Sequence, residues 1–177
     1  MNKIHPKLLL TGPPGCGKTS IIRKVLDRIS SPATGFYKEE VRGKDGKRVG
    51  FDVVTLDGRR GTLARASIKG PRVGKYGVDL RFLECTVLSE LRSEQKDLVV
   101  IDEIGKMECL SNVFIEVVRG VLNGPTTLLG TVAQAGWGFI EEARNHPDVE
   151  LILVAKSNRD RLVGEITDKI ERRKEKG

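Results

Sequence analysis

The residues Gly12-Pro13-Pro14-Gly15-Cys16-Gly17-Lys18-Thr19 match the pattern G-x-x-x-x-G-K-[ST], and this stretch decides the fold. The apolar run of residues 7–11 stands before it, and apolar residues recur at helical spacing over residues 19–29 after it. When a strand leads through a glycine-rich turn into a helix, backbone N–H groups point inward and bind phosphate oxygens. The stretch therefore predicts a phosphate-binding loop between a buried strand and a helix.

Two side chains of this loop carry specific expectations. Lys18 is expected to reach the β- and γ-phosphates of a nucleotide, and the Thr19 hydroxyl is expected to coordinate Mg²⁺. Ser20 completes the predicted nucleotide-binding stretch, which covers residues 12–20. Cys16 is expected to contribute its backbone N–H and not its thiol.

A second stretch places two carboxylates directly after an apolar run. Leu98, Val99, Val100 and Ile101 predict a buried strand, and Asp102 and Glu103 follow them. The carboxyl ends of strands are where ligands bind in open α/β sheets. Asp102 is therefore the predicted acid associated with Mg²⁺. Glu103 is the predicted general base that orients a water toward the γ-phosphorus.

The run continues as Ile104-Gly105-Lys106-Met107-Glu108. We count Ile104 and Gly105 in the second nucleotide-binding stretch, which covers residues 98–105. Lys106 is a candidate catalytic residue, because its charge can stabilise negative charge that develops on the transferring phosphate. For Glu108, the residues alone leave both a role in the site and a local ion pair open.

Strand and helix patterns alternate over the rest of the chain, which predicts one α/β domain over residues 1–177 with a mainly parallel sheet covered by helices on both faces. Residues 79–94 and 158–173 read as helices. Residues 42–81 differ from the rest, because Asp45-Gly46 and Asp57-Gly58 predict antiparallel hairpins. This segment holds eleven Lys or Arg residues against four acids, a surplus that equals the net charge of +7 of the whole chain.

Composition excludes several classes of protein and leaves the anionic partner open. The basic surplus favours a nucleic acid, an acidic surface or a phosphate-bearing small molecule. No apolar run approaches the ~20 residues that span a bilayer, and residues 1–7 do not read as a secretory signal. Three cysteines at irregular spacing predict neither a disulfide framework nor a metal site. We therefore expect no membrane partner and a location in the reducing cytoplasm.

The residues after the last predicted strand have two interpretations. Asn158 and Arg159 are candidates for contact with the sugar or base of a nucleotide. Alternatively, Ser157 and Asp160 stand three residues apart, which is the spacing of a capping box at the start of the last helix. The aromatic candidates for stacking on a base are Tyr37, Tyr76, Phe82 and Trp137.

The chain resembles the small nucleoside-triphosphatases that include the cancer-related nucleoside-triphosphatase and its thermophile relatives. Besides the phosphate loop, the resemblance rests on three stretches: residues 35–42 leading to residues 48–52, residues 73–78 and the D-E-I-G-K-M-E run of residues 102–108. It implies a RecA-like P-loop NTPase fold with an extra strand between the strands that carry the loop and the acidic pair. It also implies slow, Mg²⁺-dependent hydrolysis of ATP, GTP, CTP, UTP and TTP with little base selectivity.

Two other functions stay open at this point. A small nucleotide or nucleoside kinase often begins with a similar loop, and the basic segment would then be a lid. The acidic pair argues against a kinase, because a base that activates water would hydrolyse the triphosphate instead of transferring its phosphate to an acceptor. An NTP-dependent RNA-binding protein would explain the basic segment, although few aromatic residues are interleaved with the charges. Nothing in the sequence requires more than a monomer, and the basic residues Arg42, Arg48 and Arg72 are candidates for contact with the γ-phosphate.

Overall fold

A computed structural model describes residues 5–92 and 97–172, and the nine strands within these ranges form one sheet. In chain order they are β1 (Lys7–Thr11), β2 (Ala33–Arg42), β3 (Arg48–Thr55), β4 (Arg60–Arg65), β5 (Arg72–Val73), β6 (Tyr76–Val78), β7 (Leu98–Ile104), β8 (Thr127–Val132) and β9 (Val149–Leu153). Across the sheet the order is β5-β6-β4-β3-β2-β7-β8-β1-β9.

One half of the sheet is parallel. It consists of β2, β7, β8, β1 and β9, and every neighbouring pair among these five strands is parallel. Strand β8 lies between β1, which leads into the phosphate loop, and β7, which carries the acidic pair. This is the extra strand that the resemblance predicts.

The other half is antiparallel and contains the basic segment. Strand β2 continues past the carboxyl end of its pairing with β7, pairs with β3, and the sheet then extends through β4, β6 and β5. The hairpins predicted over residues 42–81 are thus present, but they begin on β2, inside the parallel half. The sheet is consequently mixed, with about as many antiparallel as parallel pairs.

Helices cover both faces of the sheet, as the apolar strands predict. They are α1 (Lys18–Leu26), α2 (Leu88–Leu91), α3 (Asn112–Asn123), α4 (Phe139–Arg144) and α5 (Arg159–Glu171), with a 3₁₀ turn at Glu108–Leu110. One core lies beneath α1 and α5, and a second core lies beneath α2, α3 and α4. Among the described residues, no helix has the length and apolar character needed to cross a membrane.

The helix predicted over residues 79–94 has a different geometry from the expected one. A π-helical turn, Leu83–Val87, leads directly into α2. The wider turn still buries Leu83, Val87 and Leu88 in the core. Residues 93–96, and Arg173 in the last predicted helix, lie outside the described residues.

Lys7 is a buried lysine that joins the start of β1 to the end of α3. Its ammonium donates to the carbonyl oxygen of Val121 at 2.7 Å and to that of Gly124 at 2.8 Å, and it also donates to the carbonyl of Thr126. The last carbonyls of a helix have no partners within the helix and carry its negative dipole end. Lys7 therefore provides a partner for the Val121 carbonyl in the last turn of α3 and for two carbonyls just beyond it.

Gly35 offers a direct test of how closely β2 and β7 approach each other. Its φ is +130°, and a Cβ atom built on it would lie 1.9 Å from the carbonyl oxygen of Val100. We expect Gly35→Ala to destabilise the fold by more than about 4 kcal/mol, because backbone of the partner strand has to move. Urea unfolding followed by circular dichroism measures the loss.

Gly164→Ala is the matched control for this change. Gly164 lies within α5, and a Cβ atom there meets no atom within 4 Å. Alanine should therefore stabilise the helix by about 0.5–1 kcal/mol. Equal stability of the two variants would contradict the close approach of β2 and β7.

Candidate active site

The phosphate loop is pressed against the carboxyl end of β9. Gly12 has a φ of +151°, and a Cβ atom on it would lie 2.6 Å from the carbonyl oxygen of Val154. Only glycine permits this approach, so the glycine at the start of the loop fixes where the loop sits. The thiol of Cys16 is buried in the core that lies beneath α1 and α5. All three cysteines are free thiols.

Lys18 begins α1 and folds back over its own loop. Its ammonium donates to the carbonyl oxygen of Gly12 at 2.8 Å and to that of Pro13 at 3.1 Å. Both acceptors belong to the first residues of the loop, so the charge of Lys18 lies over the loop backbone. An anion bound by the loop amides would be within reach of this charge.

Asp102 joins three elements of the fold. Its Oδ2 accepts a hydrogen bond from the Thr19 hydroxyl at 2.6 Å, and its Oδ1 accepts one from the Thr131 hydroxyl at 2.7 Å. Asp102 is 3% exposed. Burial raises the pKa of its carboxyl above the ordinary value, and the two hydrogen bonds lower that pKa only in part.

The pair of Thr19 and Asp102 fits a Mg²⁺ ion. Mg²⁺ prefers oxygen ligands, keeps several waters, and is held in nucleotide sites by one or two protein oxygens together with phosphate oxygens. A hydroxyl and a carboxylate 2.6 Å apart beside the phosphate loop supply such oxygens. The buried carboxylate, whose pKa burial raises, is also the kind of group that a cation stabilises.

Glu103 follows Asp102 and is partly open to solvent. Its Oε2 accepts from the ammonium of Lys38 at 2.7 Å, while its Oε1 has no hydrogen bond to any residue that the structure describes. The side chain is 27% exposed. Burial alone would raise the pKa of Glu103, but the charge of Lys38 outweighs it, so this pKa is lowered and the carboxylate is ionised.

Sequence reasoning missed Lys38, which lies between two glutamates. Besides Glu103, it donates to Oε1 of Glu108 at 3.1 Å, and Glu108 is completely buried. Burial lowers the pKa of Lys38, but the two carboxylates outweigh burial and raise it. Burial raises the pKa of Glu108. Lys38 is recognisable only when the register of β2 on β7 is known. That register places Tyr37 opposite Asp102, so the next residue, Lys38, comes to lie beside Glu103.

Two further residues that the sequence did not single out hold the strand ends together. Thr131, at the end of β8, donates to Asp102 as described above. Arg144 of α4 donates to the Thr11 hydroxyl at 3.2 Å and to the Ala133 carbonyl at 3.1 Å. Arg144 thereby ties the end of β1 to the end of β8 just below the phosphate loop. Neither residue belongs to a recognisable motif.

Leu98, Val99, Val100 and Ile101 support the site without facing it. Their side chains alternate between the two cores and are at most 3% exposed. Residues 98–101 therefore place Asp102 and Glu103 at the end of β7, while their own side chains pack against helices. Ile104 is buried as well, and Gly105 lies against the carboxylates of Glu103 and Glu108.

Lys106 lies at the surface, over an exposed aromatic ring. Its ammonium is 4.9 Å from the centre of the Trp137 ring, and Trp137 is 76% exposed. Within residues 5–92 and 97–172, Lys106 makes neither a hydrogen bond nor an ion pair. Nothing in this arrangement holds the Lys106 ammonium toward the phosphate loop.

Asn158 and Arg159 lie where the chain leaves β9 and enters α5. Asn158 closes the turn, because its Oδ1 accepts from the Ala155 N–H and its Nδ2 donates to the Leu153 carbonyl, both at 2.9 Å. Among the residues that the structure describes, no side chain caps the N-terminus of α5, so the capping-box interpretation is wrong. Arg159 lies against the phosphate loop, since a Cβ atom on Gly17 would be 3.5 Å from its Cδ atom.

A cleft of about 560 Å³ opens beside the phosphate loop. Its wall combines the loop, the turn after β9 and one residue after β8, and it is lined by Pro13, Pro14, Gly15, Cys16, Gln134, Leu153, Val154, Ala155 and Lys156. Most of these groups are apolar side chains or backbone. A flat apolar group that follows a bound phosphate would therefore fit this cleft.

Ion pairs engage most of the lysines and arginines of the basic segment. Seven of its eleven basic residues pair with carboxylates: Arg42, Lys47, Arg48, Arg59, Arg60, Arg65 and Arg81. Part of the compensation comes from Glu39 and Glu40 of β2, just outside the segment. Arg42 and Arg48 both pair with Glu40, and Arg72 donates to backbone carbonyls, so all three γ-phosphate candidates are engaged elsewhere.

Comparison with known proteins agrees with this architecture. A model of the family described as NTPase matches residues 7–167. The nucleoside-triphosphatase THEP1 of Thermotoga sp. (strain RQ2) is 45% identical, covering 90% of this chain and 92% of that protein. The cancer-related nucleoside-triphosphatase of Homo sapiens is 44% identical, covering 90% of this chain and 93% of that protein.

Two solved structures are similar to this chain. The crystal structure of THEP1 from Aquifex aeolicus has a TM-score of 0.83 at 30% identity, covering 93% of this chain and 99% of that one. The solution structure of a human cancer-related nucleoside triphosphatase has a TM-score of 0.78 at 43% identity, covering 93% of this chain and 97% of that one. The resemblance and the α/β P-loop fold class predicted from the sequence are thereby confirmed.

Thr131→Val tests the hydrogen bond that joins β8 to Asp102. The change keeps the shape of the side chain and leaves a buried carboxylate oxygen without its partner, so we expect a loss of about 1–3 kcal/mol in the free energy of unfolding. Chemical denaturation measures it. Thr34→Val is the matched control, because Thr34 is buried on β2 and makes no side-chain hydrogen bond with the described residues. Equal losses in both variants would contradict the role given to Thr131.

Proposed function

Because the chain belongs to the NTPase family, we propose that it hydrolyses nucleoside triphosphates to the diphosphate and inorganic phosphate in a Mg²⁺-dependent reaction. The observation that carries this proposal is the arrangement at the end of β7. Asp102 is hydrogen-bonded to Thr19 of the phosphate loop, and Glu103 beside it keeps one carboxylate oxygen without a hydrogen bond to any other described residue. The names of the relatives, all nucleoside-triphosphatases, support it.

The phosphate loop provides the binding energy for the triphosphate. Its backbone N–H groups and the N-terminus of α1 favour anionic oxygens. The Lys18 ammonium, which lies over the loop, adds a charge-assisted hydrogen bond to the β- or γ-phosphate. Both contributions are stronger than in bulk water, because they act beside a buried strand end.

Hydrolysis requires a water aligned with the γ-phosphorus. The free oxygen of Glu103 accepts a hydrogen bond from that water and orients it. The new bond forms between the water oxygen and phosphorus, and the bond from phosphorus to the oxygen bridging the β- and γ-phosphates breaks. The electrons of that bond leave with the diphosphate, and the proton of the water passes through Glu103 to the products.

Thr19 and Asp102 are the residues that would hold Mg²⁺. When bound, Mg²⁺ neutralises charge on the β- and γ-phosphates and so favours departure of the diphosphate. Asp102 is kept in place for this task by Thr131. Lys106 remains a candidate for stabilising charge on the transferring phosphate, which requires it to leave the Trp137 ring.

The substrate range follows from the cleft beside the loop. Its lining of prolines, Leu153 and backbone contacts the flat face of any base and contains few side chains able to distinguish one base edge from another. We therefore propose that ATP, GTP, CTP, UTP and TTP are all substrates. Asn158 and Arg159 lie at the border of this region, and Arg159 is the better placed of the two to contact a nucleotide.

Nucleic acid is a less favoured partner. Most basic side chains of residues 42–81 are engaged with carboxylates, so few of them are free to contact a phosphate backbone. We propose that the protein acts as a single domain and a monomer in the cytoplasm, as the sequence predicts. A salt-dependent gel shift with single-stranded RNA tests the competing function.

Glu103→Gln should abolish turnover while nucleotide binding is kept. The amide has the shape of the carboxylate but accepts a proton poorly, so we expect kcat to fall roughly 10²- to 10⁴-fold. Phosphate release measures kcat, and fluorescence of a labelled ADP measures binding. A variant with full activity would show that another group orients the water.

Lys18→Ala should weaken binding as well as turnover. Loss of a charge-assisted hydrogen bond to phosphate is worth about 1.5–3 kcal/mol, so affinity for ADP should fall roughly ten- to a hundredfold. The same labelled nucleotide gives the measurement. Unchanged affinity would place the triphosphate elsewhere on the protein.

A panel of five nucleoside triphosphates, assayed with and without nucleosides and nucleoside monophosphates, separates a hydrolase from a kinase. We expect phosphate release from every triphosphate without an acceptor, with kcat/KM values within about tenfold of one another, since the cleft offers little discrimination. Strict dependence on an acceptor would establish a kinase instead. Strong preference for one base would overturn the account of the cleft.

A further inference from the structure

We propose that Lys38 is a positioning residue for the hydrolytic reaction, which holds one oxygen of Glu103 so that the other oxygen is presented to the attacking water. The inference rests on the proposed function and concerns the same site. Lys38 does not touch the substrate in this account; it acts through Glu103. Nothing in the motifs of the loop or of the acidic run assigns a role to this residue.

Lys38 is itself held on three sides. Its ammonium binds Oε2 of Glu103 at 2.7 Å and Oε1 of Glu108 at 3.1 Å, and it lies 5.3 Å from the centre of the Phe51 ring on β3. The side chain is 15% exposed. A lysine with four flexible bonds normally samples many rotamers, and these contacts restrict that freedom.

Glu108 is the second carboxyl group that holds the ammonium of Lys38 in place. Its side chain is completely buried, and its Oε2 has no hydrogen-bond partner among the described residues. A buried acid oxygen without a hydrogen-bond partner lowers the stability of the fold, so its presence calls for a specific reason. Here Glu108 binds the ammonium of Lys38 from the buried side, while Glu103 binds it from the side that is open to solvent.

The geometry leaves Glu103 with one restrained oxygen and one open oxygen. A carboxylate with both oxygens in solvent rotates freely, and each orientation away from the water lowers the rate. The pair with Lys38 restrains one oxygen without covering the side chain, which stays 27% exposed. The rate of the chemical step therefore depends on Lys38, whereas binding of the triphosphate depends on the loop.

Gly105 adds an independent geometric reason to regard these residues as one unit. A Cβ atom on Gly105 would lie 3.0 Å from Oε2 of Glu108 and 3.1 Å from the carboxyl carbon of Glu103. Both carboxyl groups thus pack against the same backbone position. The absence of a side chain at Gly105 lets the two acids approach Lys38 together.

Lys38→Met removes the ammonium and keeps most of the apolar stem. We expect kcat for ATP hydrolysis to fall about 10- to 100-fold, with KM and the affinity for ADP changed less than about threefold. Lys38→Arg, which keeps the positive charge, should recover part of the lost rate. Lys169→Met is the matched control, because Lys169 pairs with Glu150 between α5 and β9; its kcat and KM should equal those of the wild type.

The double variant Lys38→Met/Glu103→Gln separates positioning from a structural role. If Lys38 acts through Glu103, the double variant should have the kcat of Glu103→Gln within about twofold. Should Lys38→Met fail to fold, as circular dichroism would show, Lys38→Met/Glu108→Leu leaves no buried acid unpaired and carries the same kinetic test.

The outcomes distinguish the two proposals. A wild-type chain that releases no phosphate from any triphosphate overturns the proposed function and the role of Lys38 with it. If the wild type is active, three results would overturn the role of Lys38 alone. In the first case, Lys38→Met keeps the full kcat of the wild type, and in the second it changes KM instead of kcat. In the third case, the loss of kcat in the double variant equals the combined losses of Lys38→Met and Glu103→Gln.

Discussion

The hydrogen bonds that converge on Asp102 determine how the parts of this protein fit together. The carboxylate sits at the end of a buried strand and is nearly inaccessible to water, so it has to find donors within the fold. It finds one on α1, through Thr19, and one on β8, through Thr131. Because those donors belong to different elements, satisfying one buried charge also fixes the phosphate loop relative to two strand ends. The same contact that stabilises the fold assembles the site.

Local chemistry explains which features the sequence could reveal. Residues 12–19 and 102–103 are each contiguous in sequence, and each motif has its own physical reason, so the phosphate loop and the acidic pair at a strand end could be predicted from the residues. The extra strand between them was an implication of the family resemblance. Lys38, Thr131 and Arg144 could not be predicted, because each acts only after strands far apart in sequence have paired. The capping box failed for a related reason: Ser157 has the right spacing, but Asn158 uses its side chain to close the preceding turn.

Charge shows the same limit of sequence reasoning. The surplus of positive charge in residues 42–81 suggested a surface that binds an anion. Folding brings Glu39 and Glu40 alongside the segment, and each carboxylate serves more than one arginine. Net charge counts residues, whereas the field at the surface depends on which of them pair. Lys44, Lys69, Arg72 and Lys75 remain without a carboxylate partner among the described residues, so four of the eleven basic side chains are not engaged in ion pairs.

The continuity of β2 has a consequence for how this chain can vary. One strand of ten residues serves both halves of the sheet, and the outer strands contribute Val53, Leu63, Ala64, Tyr76 and Val78 to the core that also lies beneath α3. Residues 43–78 are therefore not an appendage that deletion could remove, since excision would open that core and leave the far half of β2 unpaired. The register of β2 is therefore constrained as well: an insertion of one residue in β2 before Lys38 would turn its side chain to the opposite face of the sheet, away from Glu103.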